Sequence, residues 1–150
     1  MVFVSSEPLP RPPWSSARER PPGRIPLTRE SITDAALRIV DAEGLDGLSM
    51  RRLAQELGAT ASALYAHVSG KPELLQLMID RVAGEVELPE PDPERWQEQL
   101  KDAMRTIHQQ LAAHRDLAAA SLANIPTGHN ALVVVDQLLA ILRAGGLPRQ

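Results

Sequence analysis

Residues 49–68 read SMRRLAQELGATASALYAHV, and the fold turns on whether this stretch is one helix or two. Gly58 breaks the helical pattern after barely two turns, and Thr60 then offers a fresh N-cap. Ser49 caps the segment before it. The spacing predicts a helix Met50–Leu57 with Leu53, Ala54 and Leu57 on its inner face. A shorter helix follows from Ala61 to about Val68, with Leu64 and Val68 inward. Ala54 and Gly58 stand four apart: the small residue lets the two helices cross closely, and the glycine allows a sharp turn. This is helix-turn-helix logic, in which the second helix is presented to the major groove of DNA. Helical corners occur in many bundles, so the outward-facing residues must carry any functional reading.

Helical patterning begins upstream, in LTRESITDAALRIVDAEGLDGLS (27–49). Thr28 is a good N-cap and Glu30 suits the positive end of the helix dipole. Ile32, Ala36, Ile39 and Val40 form one stripe of a helix Arg29–Glu43. Gly44 can take the left-handed position that ends it, with Leu45 folding back onto the helix. Downstream, Lys71-Pro72-Glu73 opens a helix expected to run to Glu87, because proline is tolerated in a first turn whose N–H groups lack intrahelical partners. The stretch LPEPDPERW (88–96) is the clearest boundary. There Asp92 as N-cap with Pro93 at the first helical position predicts a new helix start. Trp96, Leu100, Ala103, Ile107 and Leu111 trace its stripe. A short helix is expected near Asp116–Ala123. The segment Asn130–Ala144 is apolar nearly all round, which predicts burial on most sides; Gly145, Gly146 and Pro148 end it.

Bulk composition bounds the rest. The 150 residues are 43% hydrophobic but only 3% aromatic, so the core must be aliphatic, which favours packed helices over strands. Residues 1–81 hold ten Lys/Arg and ten Asp/Glu, and residues 82–150 hold six and nine, giving the net charge of −3. Any binding to nucleic acid must therefore rest on local placement of a few cations. The absence of cysteine excludes disulfides and thiolate chemistry and suits a cytoplasmic setting. No apolar run approaches the ~20 residues that span a bilayer. Residues 1–27 contain seven of the 13 prolines together with Arg11, Arg18, Arg20 and Arg24. They read as an extended arm, either an inert tail or a basic arm reaching phosphate or the minor groove.

The segment LTRESITDAALRIVDAEGLDGLSMRRLAQELGATASALYAHVSGKPELL (27–75) strongly resembles the TetR (tetracycline-repressor-like) family of bacterial transcriptional regulators. It follows T-R-x-x-I-x-x-A-A, then E-G-L-x-x-L-S/T-x-R-x-L-A-x-x-L-G, then A-L-Y-x-H-V/F-x-x-K-x-x-L-L. The resemblance implies an all-α chain: a homeodomain-like three-helix domain at 28–70, a connecting helix at 71–88 and a helical ligand-binding and dimerisation domain from 89 to 150. It implies a homodimer on double-stranded operator DNA, no cofactor, no metal and no membrane. Thr28 and Lys71 take phosphate-binding roles at helix N-termini. Ser49 touches phosphate and Arg51 a base edge; Thr60, Ala61 and Ser62 face bases; Tyr65 and His67 grip the backbone. Taken singly, Arg51 reads first as a solvated charge, Tyr65 as a residue at the core's edge, and His67 as a structural histidine.

Family architecture also places a cavity for a small hydrophobic inducer among Val82, Val86, Trp96, Leu100, Met104 and Leu139. Members usually continue with two more long helices that build the dimer's four-helix bundle. This chain ends at AGGLPRQ, about where they should begin, so the resemblance implies a truncated second domain. Ala66 stands where the founding branch has a bulky aromatic, and Gly70 replaces a polar residue before Lys71; both weaken the expected grip on the backbone. Enzyme readings fail on the residues. His67, His108, His114 and His129 lie 41, 6 and 15 apart, no glutamate stands three before any of them, and no phosphate-loop or nucleophile-elbow motif occurs. His108 and His114 read as surface residues or, at most, as cavity lining. The expected function is a repressor released from its operator by an inducer. The rival from another class is a truncated interaction module that heterodimerises or binds a small ligand without touching DNA.

Overall fold

The computed structural model describes residues 26–147, and among them seven helices follow one another with no strand. They are α1 (Arg29–Glu43), α2 (Met50–Glu56), α3 (Ala61–Tyr65), α4 (Lys71–Ala83), α5 (Trp96–Ala112), α6 (Leu117–Leu122) and α7 (His129–Ala144). The arginines of the proline-rich arm lie outside the described residues, but its last two residues are anchored. The Pro26 carbonyl accepts the Ser31 hydroxyl at 2.8 Å, and Leu27 packs against the core.

Local rules place the first helices. Thr28 and Ser31 form a reciprocal capping box at the start of α1, which satisfies two N–H groups that have no intrahelical partner. Glu30 lies in that first turn, and hydrogen bonds from its own backbone and from Thr28 hold its carboxyl below the usual range. Between α2 and α3 the chain closes a Schellman turn: Ala59 N–H reaches Ala54 C=O at 2.9 Å and Gly58 N–H reaches Gln55 C=O at 3.2 Å. Gly58 holds φ +59° there, in open space. Gly58→Ala is therefore expected to cost about 1 kcal/mol from backbone conformation alone, read by thermal denaturation, with Gly58→Asn costing less. A loss within a few tenths of a kcal/mol would contradict the left-handed turn.

The core is continuous from α1 to α4. Ile32, Val40, Leu48, Leu53, Leu64, Val68, Leu74, Met78 and Val82 are almost wholly buried, and Leu117 of α6 joins the same cluster. Helix α1 packs on α2 and α4, and α4 also packs on α5 and α7, which pack on each other. Helix α4 thus belongs to both halves of the protein. Its Asp80 carboxylate accepts the Ala131 N–H at 2.9 Å and faces the Asn130 side chain. A residue of α4 thereby caps α7, whose own N-cap, Gly128, has no side chain to do so.

Four expectations need correction. Helix α3 stops at Tyr65, not Val68, because the chain tightens into 3-residue turns: His67 N–H bonds Leu64 C=O at 2.9 Å. Helix α4 stops at Ala83, not Glu87, and closes through the Gly84 and Glu85 N–H groups. Asp92 does not cap α5; its side chain accepts the Glu94 N–H at 2.9 Å in a separate turn, and α5 starts at Trp96 without a side-chain cap. Helix α7 is not buried on most sides. Only Ala131, Val134 and Ile141 are buried, whereas Leu132, Val133, Val135 and Leu139 are exposed, since α4 and α5 cover one side of it.

Candidate nucleic-acid interface

The expected contact residues sit at helix starts. Thr28, Ser49 and Thr60 are the N-caps of α1, α2 and α3, and each hydroxyl oxygen accepts an N–H of the following turn at 3.1–3.2 Å. A hydroxyl that accepts in this way keeps its O–H free to donate. Thr28 gives that donor to the Glu30 carboxylate, so the exposed caps Ser49 and Thr60 offer donors suited to phosphate or to acceptor edges of bases.

Arg51 and Arg52 are adjacent but differ in setting. Arg52 is clamped by Glu43 at 2.8 Å and Glu56 at 3.0 Å, and Glu43 followed by Glu56 raises its pKa above the ordinary value. Arg51 points away on an exposed part of α2 and makes no ion pair among the described residues. It is the arginine left available to a partner. Ser62 and Tyr65 are exposed on α3, Tyr65 at 55%. Ala61 is half-buried and packs against the core, so of the three residues expected to face bases it is the most committed to the fold. His67 is half-buried.

Lys71 is exposed at the start of α4, and its Nζ donates to the Leu45 carbonyl at 2.6 Å. Two of its three N–H donors remain for other acceptors. Beside it, Glu73 accepts the Ser69 N–H at 2.6 Å and pairs with Arg29. These contacts, led by Ser69, hold the Glu73 carboxyl below its usual range. Glu73 thus ties the start of α1 to the start of α4.

A cavity of about 180 Å³ lies between the second-half helices and α4. Val82, Val86 and Met104 line it, as do Ile79, Ile107, Leu111, Val134 and Leu138. The other three expected lining residues, Trp96, Leu100 and Leu139, are outside it. The Trp96 indole instead lies against Gly145, where any Cβ would collide with it, and Leu139 is on the exposed side of α7. The wall is apolar apart from Ser121 and Asn124. Neither His108 nor His114 takes part: His108 is exposed, and His114 Nδ1 lies 3.0 Å from both carboxylate oxygens of Asp41 on α1. Among the described residues no cluster of His, Asp and Glu could hold a metal ion, and no helix is long and apolar enough to cross a membrane.

Two short helices about a Schellman turn, with capped N-termini and one exposed arginine that has no ion pair among the described residues, define a helix-turn-helix protein of the transcription-regulator type. Residues 32–78 match the family model for bacterial regulatory proteins of the tetR family, and residues 88–150 that for the tetracyclin repressor-like C-terminal domain. The chain belongs to the TetR family, whose members are transcriptional regulators and not enzymes.

Among its relatives, an HTH-type transcriptional regulator of Saccharopolyspora erythraea is 34% identical over 97% of this chain and 61% of its own length. The repressor DrrR1 of Streptomyces coeruleorubidus is 37% identical over 89% of this chain and 50% of its own. Among solved structures, apo ActR from Streptomyces coelicolor superposes with a TM-score of 0.78 and 50% identity, over 83% of this chain and 60% of ActR. BioQ, solved with its double-stranded DNA operator, gives a TM-score of 0.70 and 33% identity, over 81% of this chain and 74% of BioQ. The chain thus spans between half and two thirds of the length of these two curated relatives.

Proposed function

We propose that this chain binds operator DNA as one half of a two-fold dimer and represses transcription until a small apolar inducer enters the cavity beside α4. Thr28, Ser49 and Lys71 serve the phosphates, Arg51, Thr60 and Ser62 the base edges, and Tyr65 and His67 the backbone beyond them. The observation that carries the reading is the division of labour at the start of α2. Arg52 is consumed by Glu43 and Glu56, while Arg51 beside it stays exposed and unpaired among the described residues. An arginine held at a helix start by a well-capped neighbour suits bidentate recognition of guanine in the major groove.

The inducer half of the reading is supported by the apolar cavity and by the relative ActR, which has been solved in complex with actinorhodin. A ligand that prefers one spacing of the two recognition helices over the other would shift the dimer away from its DNA-bound form. Cytoplasmic residence follows from the same function.

Fluorescence anisotropy tests the DNA half. A labelled duplex from the region upstream of the chain's own gene is titrated with protein between about 50 and 200 mM salt, and each neutralised phosphate adds about 0.9 to the slope of log K against log salt. A slope of several units is expected. Absence of binding at the low-salt end would defeat the reading and favour an interaction module that does not touch DNA.

A further inference from the structure

Asp116 directly precedes α6, and an aspartate there ordinarily caps its own helix. Here α6 has no side-chain cap, and Asp116 stands at φ 62°, ψ −8°, the one non-glycine residue of positive φ among those described. Its carboxylate turns away from α6 to the corner between α1 and α2, where it accepts the Leu45 N–H at 3.1 Å. A left-handed residue of this kind persists where its surroundings over-determine it, and the corner is shaped to receive it. A Cβ on Gly44 would come within 2.8 Å of the Asp116 carboxylate and 3.2 Å of Arg115. One turn away, His114 meets Asp41 at 3.0 Å.

Leu45 is also bonded on its other side. Its carbonyl accepts Lys71 Nζ at 2.6 Å and the Leu48 N–H at 3.3 Å, and Leu48 precedes the cap of α2, Ser49. One residue therefore receives a carboxylate from the second half of the protein and orients a lysine and a helix start in the first.

We propose that Asp116 is a positioning residue for DNA binding: by holding the Leu45 N–H it fixes the carbonyl that orients Lys71 and the turn that presents Ser49 and Arg51. The inference rests on the DNA-binding reading above. Lys71 meets phosphate with less side-chain freedom to lose because Leu45 already restrains it. The far end of α6 carries Ser121 into the cavity wall, so the six residues of this helix join that wall to the corner.

Asp116 is exposed, so its replacement opens no core. Asp116→Gly removes the acceptor in a residue at ease with positive φ, whereas Asp116→Asn keeps an acceptor oxygen and also tolerates that backbone. In the full chain, NMR hydrogen exchange is expected to quicken about tenfold at Leu45 in Asp116→Gly and to change also at Leu48, Ser49 and Lys71. Affinity for the upstream duplex is expected to fall about fivefold, with little change in melting temperature, and Asp116→Asn restores both. A purely structural Asp116 would lower the melting temperature and leave the affinity of the folded protein unchanged, and that result overturns the proposal. If the wild-type chain binds no duplex, the DNA reading fails on its own account and hydrogen exchange still decides. Spread of the change to Leu48, Ser49 and Lys71 supports the positioning link, and a change confined to Leu45 overturns it.

Discussion

Replacing Leu64 by alanine is expected to cost about 3 kcal/mol of folding stability, within the range for deleting a fully buried leucine side chain. Leu64 is completely buried, and α3 has only five residues. A helix so short has negligible stability of its own, since nucleation costs more than one turn returns. Its position depends on the burial of Leu64 and Val68 in the shared core, on its packing against α2, and on the backbone bonds that Leu64 C=O receives from His67 and Val68 at 2.9 and 3.0 Å. Urea denaturation should show the loss without a change in m-value, and the melting temperature should fall by about 10 °C. Leu64→Met, which conserves volume, should cost less than about 1.5 kcal/mol. If Leu64→Ala cost under about 1 kcal/mol, α3 would be held by something other than this side chain.

The second large effect separates Lys71 from Arg51. Lys71→Ala should weaken binding to every duplex by about tenfold, or ~1.4 kcal/mol, and reduce the salt slope by about 1 for each half-site. It takes a point charge from the phosphate backbone, which carries no sequence information. Arg51→Ala should instead flatten the preference at one base pair, by about 1–3 kcal/mol of discrimination. The measurement is competition among duplexes that differ by single base pairs, at two salt concentrations. Equal losses from both variants across all duplexes would remove the distinction between a phosphate lysine and a base-reading arginine.

Much of the first half was legible because its signals are local. Thr28, Ser49 and Thr60 each reach an N–H only three residues ahead, and the Gly58 turn closes within six residues. Interactions of that range depend on a short window of chain and little else. Legibility fell once the deciding contact lay elsewhere. Asp92 followed by Pro93 has every local mark of a helix start, yet the Gln99 side chain of α5 bonds the Asp92 N–H and the Glu90 carbonyl, tying the loop to the side of the helix while the Asp92 carboxylate turns to Glu94. Membership of the cavity was half legible. Val82 and Met104 fall on faces that α4 and α5 share, with Val86 just past the end of α4, but Trp96 went to Gly145 and Leu139 to the exposed side of α7.

What the sequence alone determined is the order of the helices, the caps of the first three, the tight turn of residues 57–60 and the apolar faces that build the core around Leu53, Leu64 and Met78. What only the tertiary structure decided is where the polar side chains go. It paired Arg52 and left Arg51 open, sent Asp80 to cap α7, and turned Asp116 from its own helix to Leu45. The physical reason is range. A cap or a helical stripe is an energy of neighbours within a turn or two, whereas a carboxylate chooses among donors that folding brings close from 50 or 71 residues away.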